Sequence, residues 1–94
     1  MNTKAKGNRN ERKGRDLLYK WGAHAVVKAG ASLGVFDLLA LLDGEVVAVQ
    51  VKTNRNPSKA EMQALRDFPR LSYLKKMLFV YKDRQREPDI TTID

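Results

Sequence analysis

The chain contains no cysteine and only one histidine, His24, among its 94 residues. The absence of cysteine excludes disulfide bonds and thiolate metal sites. No run of about 18 apolar residues is present, so no membrane-spanning helix and no membrane partner are expected. The N-terminal region is basic and polar and lacks an apolar stretch, which argues against a secretory signal. These absences predict a cytoplasmic protein.

Basic residues exceed acidic residues by 18 to 11, which gives a net charge of +7. The excess is concentrated in residues 1–20, which contain seven basic and two acidic side chains. A cluster of this kind attracts polyanions, and phosphate contacts supply most of the sequence-independent affinity for nucleic acid. A solvated helix face is the alternative explanation. The length predicts one domain over residues 1–94, with residues 1–8 as a flexible basic arm.

The first predicted helix spans about residues 9–21, with Asn8 or Asn10 as its cap and Gly22 at its end. Helical spacing places Glu11 on the inward, apolar side of this helix. A carboxylate there suits the positive end of the helix dipole, or it points into a site.

An Asp43-Gly44 turn between two apolar runs is the strongest short hairpin signal in the chain. Both faces of this hairpin are largely apolar, so both should be covered by other elements, as in an α/β sheet. We therefore expect a small mixed β-sheet flanked by helices. The other predicted elements are a strand at 24–29, hairpin strands at 35–42 and 45–53, a helix at 59–68 begun by a Ser58–Glu61 capping box, a strand at 76–82 and a short edge strand at 89–93.

Polar side chains interrupt the apolar hairpin at its open end. Pairing across the turn places Asp37 opposite Gln50, and Lys52 projects from the same face, whereas Phe36 falls on the other face. Burying an unpaired charge is costly, so a cross-strand ion pair or simple exposure is the structural alternative. Carboxylate and amide oxygens, with the Val51 carbonyl nearby, suit Mg²⁺. A lysine stabilises charge on a phosphate, so the pattern indicates a metal-dependent phosphate site.

The sequence resembles the PD-(D/E)XK nuclease core and, more narrowly, the archaeal-type Holliday junction resolvases. The resemblance rests on Glu11, on Gly-Val-Phe-Asp37 and on Gln50-Val-Lys52. A Lys-Gly pair before Glu11, an Ala-Gly-Ala-Ser32 loop and a Leu-Leu-Ala segment after Asp37 add to it, over about residues 6–54.

The resemblance implies a restriction-endonuclease-like fold and a metal-dependent endonuclease. Such an enzyme acts as a homodimer on four-way DNA junctions in recombination and repair, uses Mg²⁺ (with Mn²⁺ as an alternative), and works in the cytoplasm of a prokaryote or of a virus's host. The implied catalytic residues are Glu11, Ser32, Asp37, Gln50 and Lys52. The implied metal ligands are Glu11, Asp37, Gln50 and Val51. The expected DNA-binding residues are Lys4, Lys6, Arg9, Arg12, Lys13, Ser32 and Arg55.

The chain departs from the resolvases at Gln50, where they usually have glutamate. We expect weaker or more selective metal binding, because an amide oxygen still serves as a ligand. Two alternatives remain open: another nuclease of this core for repair or restriction, and a basic DNA-binding protein with a degraded site. His24 is interpreted as structural. Leu71, Tyr73 and Leu74 are candidates for the subunit interface.

Overall fold

The computed structural model describes residues 3–29 and 34–93, except for the side chains of residues 3 and 4. Five strands form one sheet in the order β1-β2-β3-β4-β5, and two helices accompany it. The elements are α1 (Thr3–Lys20), β1 (Ala25–Lys28), β2 (Leu38–Leu42), β3 (Glu45–Thr53), α2 (Lys59–Asp67), β4 (Leu74–Tyr81) and β5 (Asp89–Ile93). The predicted α/β class, with a mixed sheet flanked by helices, is confirmed.

The sheet is antiparallel except between β3 and β4, which run parallel and are connected through α2. The hairpin has the predicted register, with Leu42 opposite Glu45. The predicted edge strand is also present as β5. Strand β3 lies at the centre, and beyond Val49 it is paired with β4 but not with β2, so its C-terminal end is partly open.

Each face of the sheet has its own apolar cluster. On one face, Leu18 of α1 packs with Leu38, Val49 and Phe79. On the other, Leu65 of α2 packs with side chains of β3, β4 and β5. Phe36 belongs to this second cluster with Ala48, which shares its strand face with Gln50, so the predicted placement of Phe36 on the opposite face is wrong. The cause is local: Phe36 precedes β2, and the strict alternation of a strand does not apply there.

Helix α1 begins at Thr3, and the expected start near Arg9 is therefore wrong. Residues 3–8 are its first turns rather than a preceding arm, and Asn10 is an interior residue rather than a cap. The side chain of Asn10 is buried, and its Nδ2 donates to Thr53 Oγ1 at 2.8 Å. A favourable tertiary contact thus replaces the capping role that its residue type suggested.

The C-terminal end of α1 is as predicted. Gly22 adopts a φ of +107°, the left-handed conformation that glycine tolerates best. The N–H of Ala23 donates to the Leu18 carbonyl at 3.1 Å, and the N–H of Gly22 donates to the Tyr19 carbonyl at 3.0 Å. This pair of bonds is a Schellman motif, which satisfies the last helical carbonyls and turns the chain into β1.

Helix α2 is fixed at both ends. Ser58 Oγ accepts the N–H of Glu61 at 3.1 Å, and Glu61 Oε1 accepts the N–H of Ser58 at 3.0 Å, so the predicted capping box is confirmed. At the other end, Nζ of the buried Lys76 donates to the carbonyls of Leu65 (2.7 Å), Arg66 (3.2 Å) and Phe68 (3.1 Å). A cation here complements the negative end of the helix dipole.

Candidate active site

Asp37 lies immediately before β2, at the open end of the hairpin. Its N–H donates to the carbonyl of Val49 at 2.8 Å, and its Oδ2 accepts the N–H of Val51 at 2.7 Å. The side chain of Asp37 is therefore hydrogen-bonded to the backbone of Val51, the residue between Gln50 and Lys52. The second bond holds the carboxylate against β3, and Oδ1 accepts no side-chain or backbone hydrogen bond within the described ranges.

Burial raises the pKa of Asp37 above its ordinary value, and the nearby Glu11 carboxylate adds to the rise. The hydrogen bond from Val51 and the positive charges of Lys52 and Lys28 act in the opposite direction on this pKa. The burial effect dominates, so the charged form of Asp37 is disfavoured in the folded chain. A cation bound at this carboxylate would reverse that effect.

Gln50 is 4% exposed, and its Oε1 has no hydrogen-bond partner among the residues that the structure describes. Leaving a buried acceptor unsatisfied costs about 1–3 kcal/mol. Gln50 immediately precedes Val51, the residue of β3 whose N–H binds Asp37. A hard cation would bind favourably to such an unsatisfied amide oxygen together with a carboxylate held one residue further along the strand.

The donor set fits Mg²⁺, which typically takes one or two carboxylates and completes its shell with water and phosphate oxygens. Most of the candidate ligands lie at the open end of the hairpin: Asp37, the amide oxygen of Gln50 and the carbonyl of Val51. The remaining candidate, Glu11, lies on α1. The described residues contain no cluster of three or more histidine, cysteine, aspartate or glutamate side chains that could hold a metal. The fit therefore relies on neutral oxygen ligands such as that of Gln50 in addition to carboxylates.

Glu11 reaches the site because α1 packs closely on the sheet. A Cβ built at Gly14, one helical turn later, would lie 3.2 Å from Leu38 Cδ1 and 3.6 Å from Val51 Cγ2. Oε1 of Glu11 forms an ion pair with Nζ of Lys28 at 3.5 Å. Lys28, at the end of β1, was not singled out in the sequence because its position depends on the pairing of β1 with β2.

Lys52 forms an ion pair and hydrogen bond with Oε2 of Glu61, and its side chain is 11% exposed. This bond and the one from Ser58 lower the pKa of Glu61 to about 2. Glu61 was predicted only as part of the capping box. Its contact with Lys52 depends on how α2 follows β3, which spacing alone does not give.

Two surface cavities flank this site. One has a volume of about 250 Å³ and is lined by Glu11, Arg12, Arg15 and Lys28, among others. The other has a volume of about 490 Å³ and is lined by Lys6, Lys52 and Arg55, among others. Basic side chains therefore border the site on both sides, as a path for a phosphate backbone requires.

The remaining predicted DNA-binding residues are distributed unevenly. Arg9 is exposed on α1. Lys13 lies toward a different cavity, with Nζ 6.0 Å from the ring centroid of Tyr81. Lys6 Nζ forms an ion pair with Asp83 at 3.1 Å. Ser32 and the side chain of Lys4 lie outside the described part of the chain.

The structure brings together five of the predicted site residues and separates others from them. Glu11, Asp37, Gln50, Val51 and Lys52 all lie around the C-terminal end of β3. His24 lies at the opposite end of the hairpin, where Nε2 is 2.6 Å from Asp43 Oδ1. No helix in the described ranges has the length and apolar character needed to cross a bilayer.

Comparison with known proteins gives a likeness in structure and none in sequence. No family model matches the chain, and no curated protein matches it in sequence. Among solved structures, it is similar to Hjc of Archaeoglobus fulgidus, described as a Holliday junction resolvase from an archaeal hyperthermophile. The TM-score is 0.68 at 23% sequence identity, and the match covers 94% of this chain and 71% of Hjc. The resemblance inferred from the sequence is thus confirmed at the level of the fold, and the chain has the fold of an archaeal Holliday junction resolvase.

Proposed function

We propose that the chain is a metal-dependent endonuclease that resolves four-way DNA junctions. The observation that carries the proposal is the partly buried Asp37 carboxylate, hydrogen-bonded to the N–H of Val51 between Lys52 and Gln50, whose buried Oε1 has no partner among the described residues. The fold gives a second line of support, because the archaeal protein with a similar structure is described as a Holliday junction resolvase.

The reaction is hydrolysis of a phosphodiester. The oxygen of a water molecule forms a bond to phosphorus, the bond from phosphorus to one bridging sugar oxygen breaks, and a proton from the water ends on that oxygen. A bound Mg²⁺ would supply Lewis-acid activation of the water and phosphate. Asp37, Glu11 and Gln50 would hold the cation. Lys52 donates hydrogen bonds to the phosphate oxygens, on which negative charge develops in the transition state.

Charge supports DNA as the substrate. The chain carries +7 overall, and both cavities beside the site contain arginine or lysine side chains. Basic side chains on both sides of the reacting phosphate would bind the neighbouring phosphates of the DNA backbone. Because these contacts do not read bases, we expect recognition of the shape of the junction rather than its sequence.

We further propose that the active form is a homodimer, since a two-fold pair presents the same site to two symmetric strands. Exposed apolar side chains support it: Val27 and Leu41 on the sheet, and Leu71 and Tyr73 after α2 are 40–54% exposed. Sedimentation of the wild type and of Leu41→Glu and Tyr73→Glu variants tests it. Equal monomer mass for all three would contradict this part.

Gln50 favours one second candidate, a DNA-binding protein without catalysis. Glutamine in place of glutamate at position 50 removes a negative charge from the site. Asp37 and Glu11 are then the acidic candidates for metal ligands among the described residues. This candidate predicts junction binding that weakens with salt and yields no metal-dependent product.

The test is a synthetic immobile four-way junction incubated with Mg²⁺ or with chelator, next to a linear duplex of the same sequence. Asp37→Ala is the inactive control. Paired symmetric nicks that require both metal and Asp37 would support the resolvase. Equal cleavage of the linear duplex would instead indicate a different nuclease of the same fold. A wild type without activity that Gln50→Glu restores would overturn our proposal in favour of the degraded site.

A further inference from the structure

Glu61 connects the start of α2 to the candidate active site. Its two carboxylate oxygens have different partners: Oε1 accepts the N–H of Ser58 at 3.0 Å and lies 3.8 Å from Nη1 of Arg55, and Oε2 accepts from Nζ of Lys52. The first bond belongs to the capping box and fixes the orientation of the carboxylate. The second then holds the ammonium group of Lys52 at a defined place beside the sheet.

Lys52 needs such a partner because its own strand supplies none. Gln50, two residues earlier and on the same face, is uncharged. The ion pair of Lys52 in the structure is with Glu61 and not with Asp37, although the charge of Lys52 acts on Asp37. A lysine without a fixed partner has a flexible four-carbon stem and loses considerable rotamer entropy when it is ordered.

Resting on the proposed function, we propose that Glu61 is a positioning residue for Lys52. It holds the ammonium group away from Asp37, so that Asp37 and Gln50 stay open to the cation while Lys52 faces the phosphate. In a chain that has glutamine at position 50, Glu61 supplies the negative charge that orders the lysine. The helix cap and the chemistry of the site thus share one carboxylate.

Two variants separate this role from helix capping. Glu61→Gln keeps an amide oxygen for the N–H of Ser58 and removes the charge that holds Lys52. Ser58→Ala removes the bond from Ser58 Oγ to the Glu61 N–H at 3.1 Å and leaves the Glu61 carboxylate in place. Both weaken the start of α2, and urea unfolding measures by how much. Only Glu61→Gln should release Lys52.

The first readout is independent of activity. In chelator, proteins labelled with ¹⁵N at lysine Nζ report which ammonium groups are ordered and exchange slowly with water. Lys76, held by three carbonyls, is the internal reference. We expect the Lys52 signal in the wild type and in Ser58→Ala and its loss in Glu61→Gln, with the Lys76 signal unchanged in all three. A Lys52 signal that persists in Glu61→Gln would overturn the inference.

The second readout is single-turnover junction cleavage at saturating protein. We expect Glu61→Gln to lower the rate by about 10- to 100-fold even when all the junction is bound, which is the effect of a misplaced group. In a Lys52→Met background the same change should cause no further loss, because the two residues act as a unit. Equal rates for Glu61→Gln and Ser58→Ala, or independent losses, would overturn the inference. A wild type that cleaves no DNA would instead overturn the proposed function.

Discussion

Asp37 accepts a hydrogen bond from the backbone N–H of Val51 at 2.7 Å, across the open end of the hairpin. This bond joins the start of one strand to the end of the next and holds a partly buried carboxylate in place. Burial nevertheless outweighs the bond and raises the pKa of Asp37. The residue proposed as the main metal ligand is therefore a source of instability in the metal-free chain.

We predict that Asp37→Asn raises the free energy of unfolding in chelator. The folded pKa of Asp37 lies above its ordinary value of 3.8, so ionisation costs more in the folded than in the unfolded chain. Below pH 3.8 the residue is neutral in both states and has no effect. The advantage of the variant should therefore grow as the pH rises through the folded pKa. Urea titrations between pH 3 and 8 measure it.

The same variant should lose junction cleavage by about 100-fold or more, because metal activation contributes several kcal/mol. We also expect Mg²⁺ to raise the melting temperature of the wild type and not that of Asp37→Ala, whose side chain has no oxygen for the metal. Asp16→Asn, on the exposed side of α1, is the matched control and should change neither property. A metal-dependent rise in melting temperature that survives in Asp37→Ala would rule out Asp37 as a ligand.

Gln50→Glu should have opposite effects with and without metal. Without metal, a second buried carboxylate beside Asp37 should lower stability by about 1–3 kcal/mol, since it has no partner. With metal, the added charge should lower the Mg²⁺ concentration required for half-maximal cleavage. Gln85→Glu adds the same charge at an exposed turn and is the control. An unchanged Mg²⁺ requirement would show that position 50 does not face the cation.

Local patterns predicted most of the fold, whereas contacts between distant elements were harder to predict. The Asp43-Gly44 turn gave the hairpin register, which brings Asp37 to the strand segment of Gln50 and Lys52. The glycine at position 22 and the Ser58–Glu61 box gave correct helix ends. The start of α1 was missed because the polar residues 3–8 have no apolar periodicity.

The missed site residues have a common physical cause. The contact of Glu61 with Lys52 depends on the path of α2 after β3, and the contact of Lys28 with Glu11 depends on the packing of α1 beside β1. Neither is fixed by spacing along the chain. Each of these side chains also had a sufficient local explanation, as a helix cap or as a solvated strand end.

Lys76→Met should destabilise the chain without altering the site directly. The substitution removes the donor that serves three carbonyls at the end of α2. Buried carbonyls left without a donor should cost about 2 kcal/mol in total, after allowance for the relief of burying a charge. Lys75→Met is the control, because Lys75 is exposed and its ion pair with Glu45, at 3.9 Å, lies on the surface. Equal urea midpoints for both variants would contradict the assignment.

Glycine has different roles at the two positions where it occurs in α1. Gly14→Val should destabilise by about 1–3 kcal/mol, because its side chain would push into Leu38 and Phe79 in a packed core. It should also reduce cleavage, since Glu11 lies one turn away. Among the residues that the structure describes, a Cβ added at Gly7 would meet nothing within 4 Å, so Gly7→Ala should stabilise by up to about 1 kcal/mol. Thermal unfolding of both variants checks the contrast, and a neutral Gly14→Val would refute the close packing of α1.

The pKa of Glu61 gives the stability of the chain a pH dependence with a sign opposite to that of Asp37. Its folded pKa is about 2, below the ordinary value of 4.5, so the unfolded chain takes up this proton first as the pH falls. The contribution is complete above pH 4.5 and is lost progressively toward pH 2. Glu61→Gln should therefore flatten the acid limb of the stability curve. Glu87→Gln, in an exposed turn, should retain the limb. An acid limb of unchanged steepness in Glu61→Gln would mean that the bond from Lys52 does not lower the pKa of Glu61 in solution.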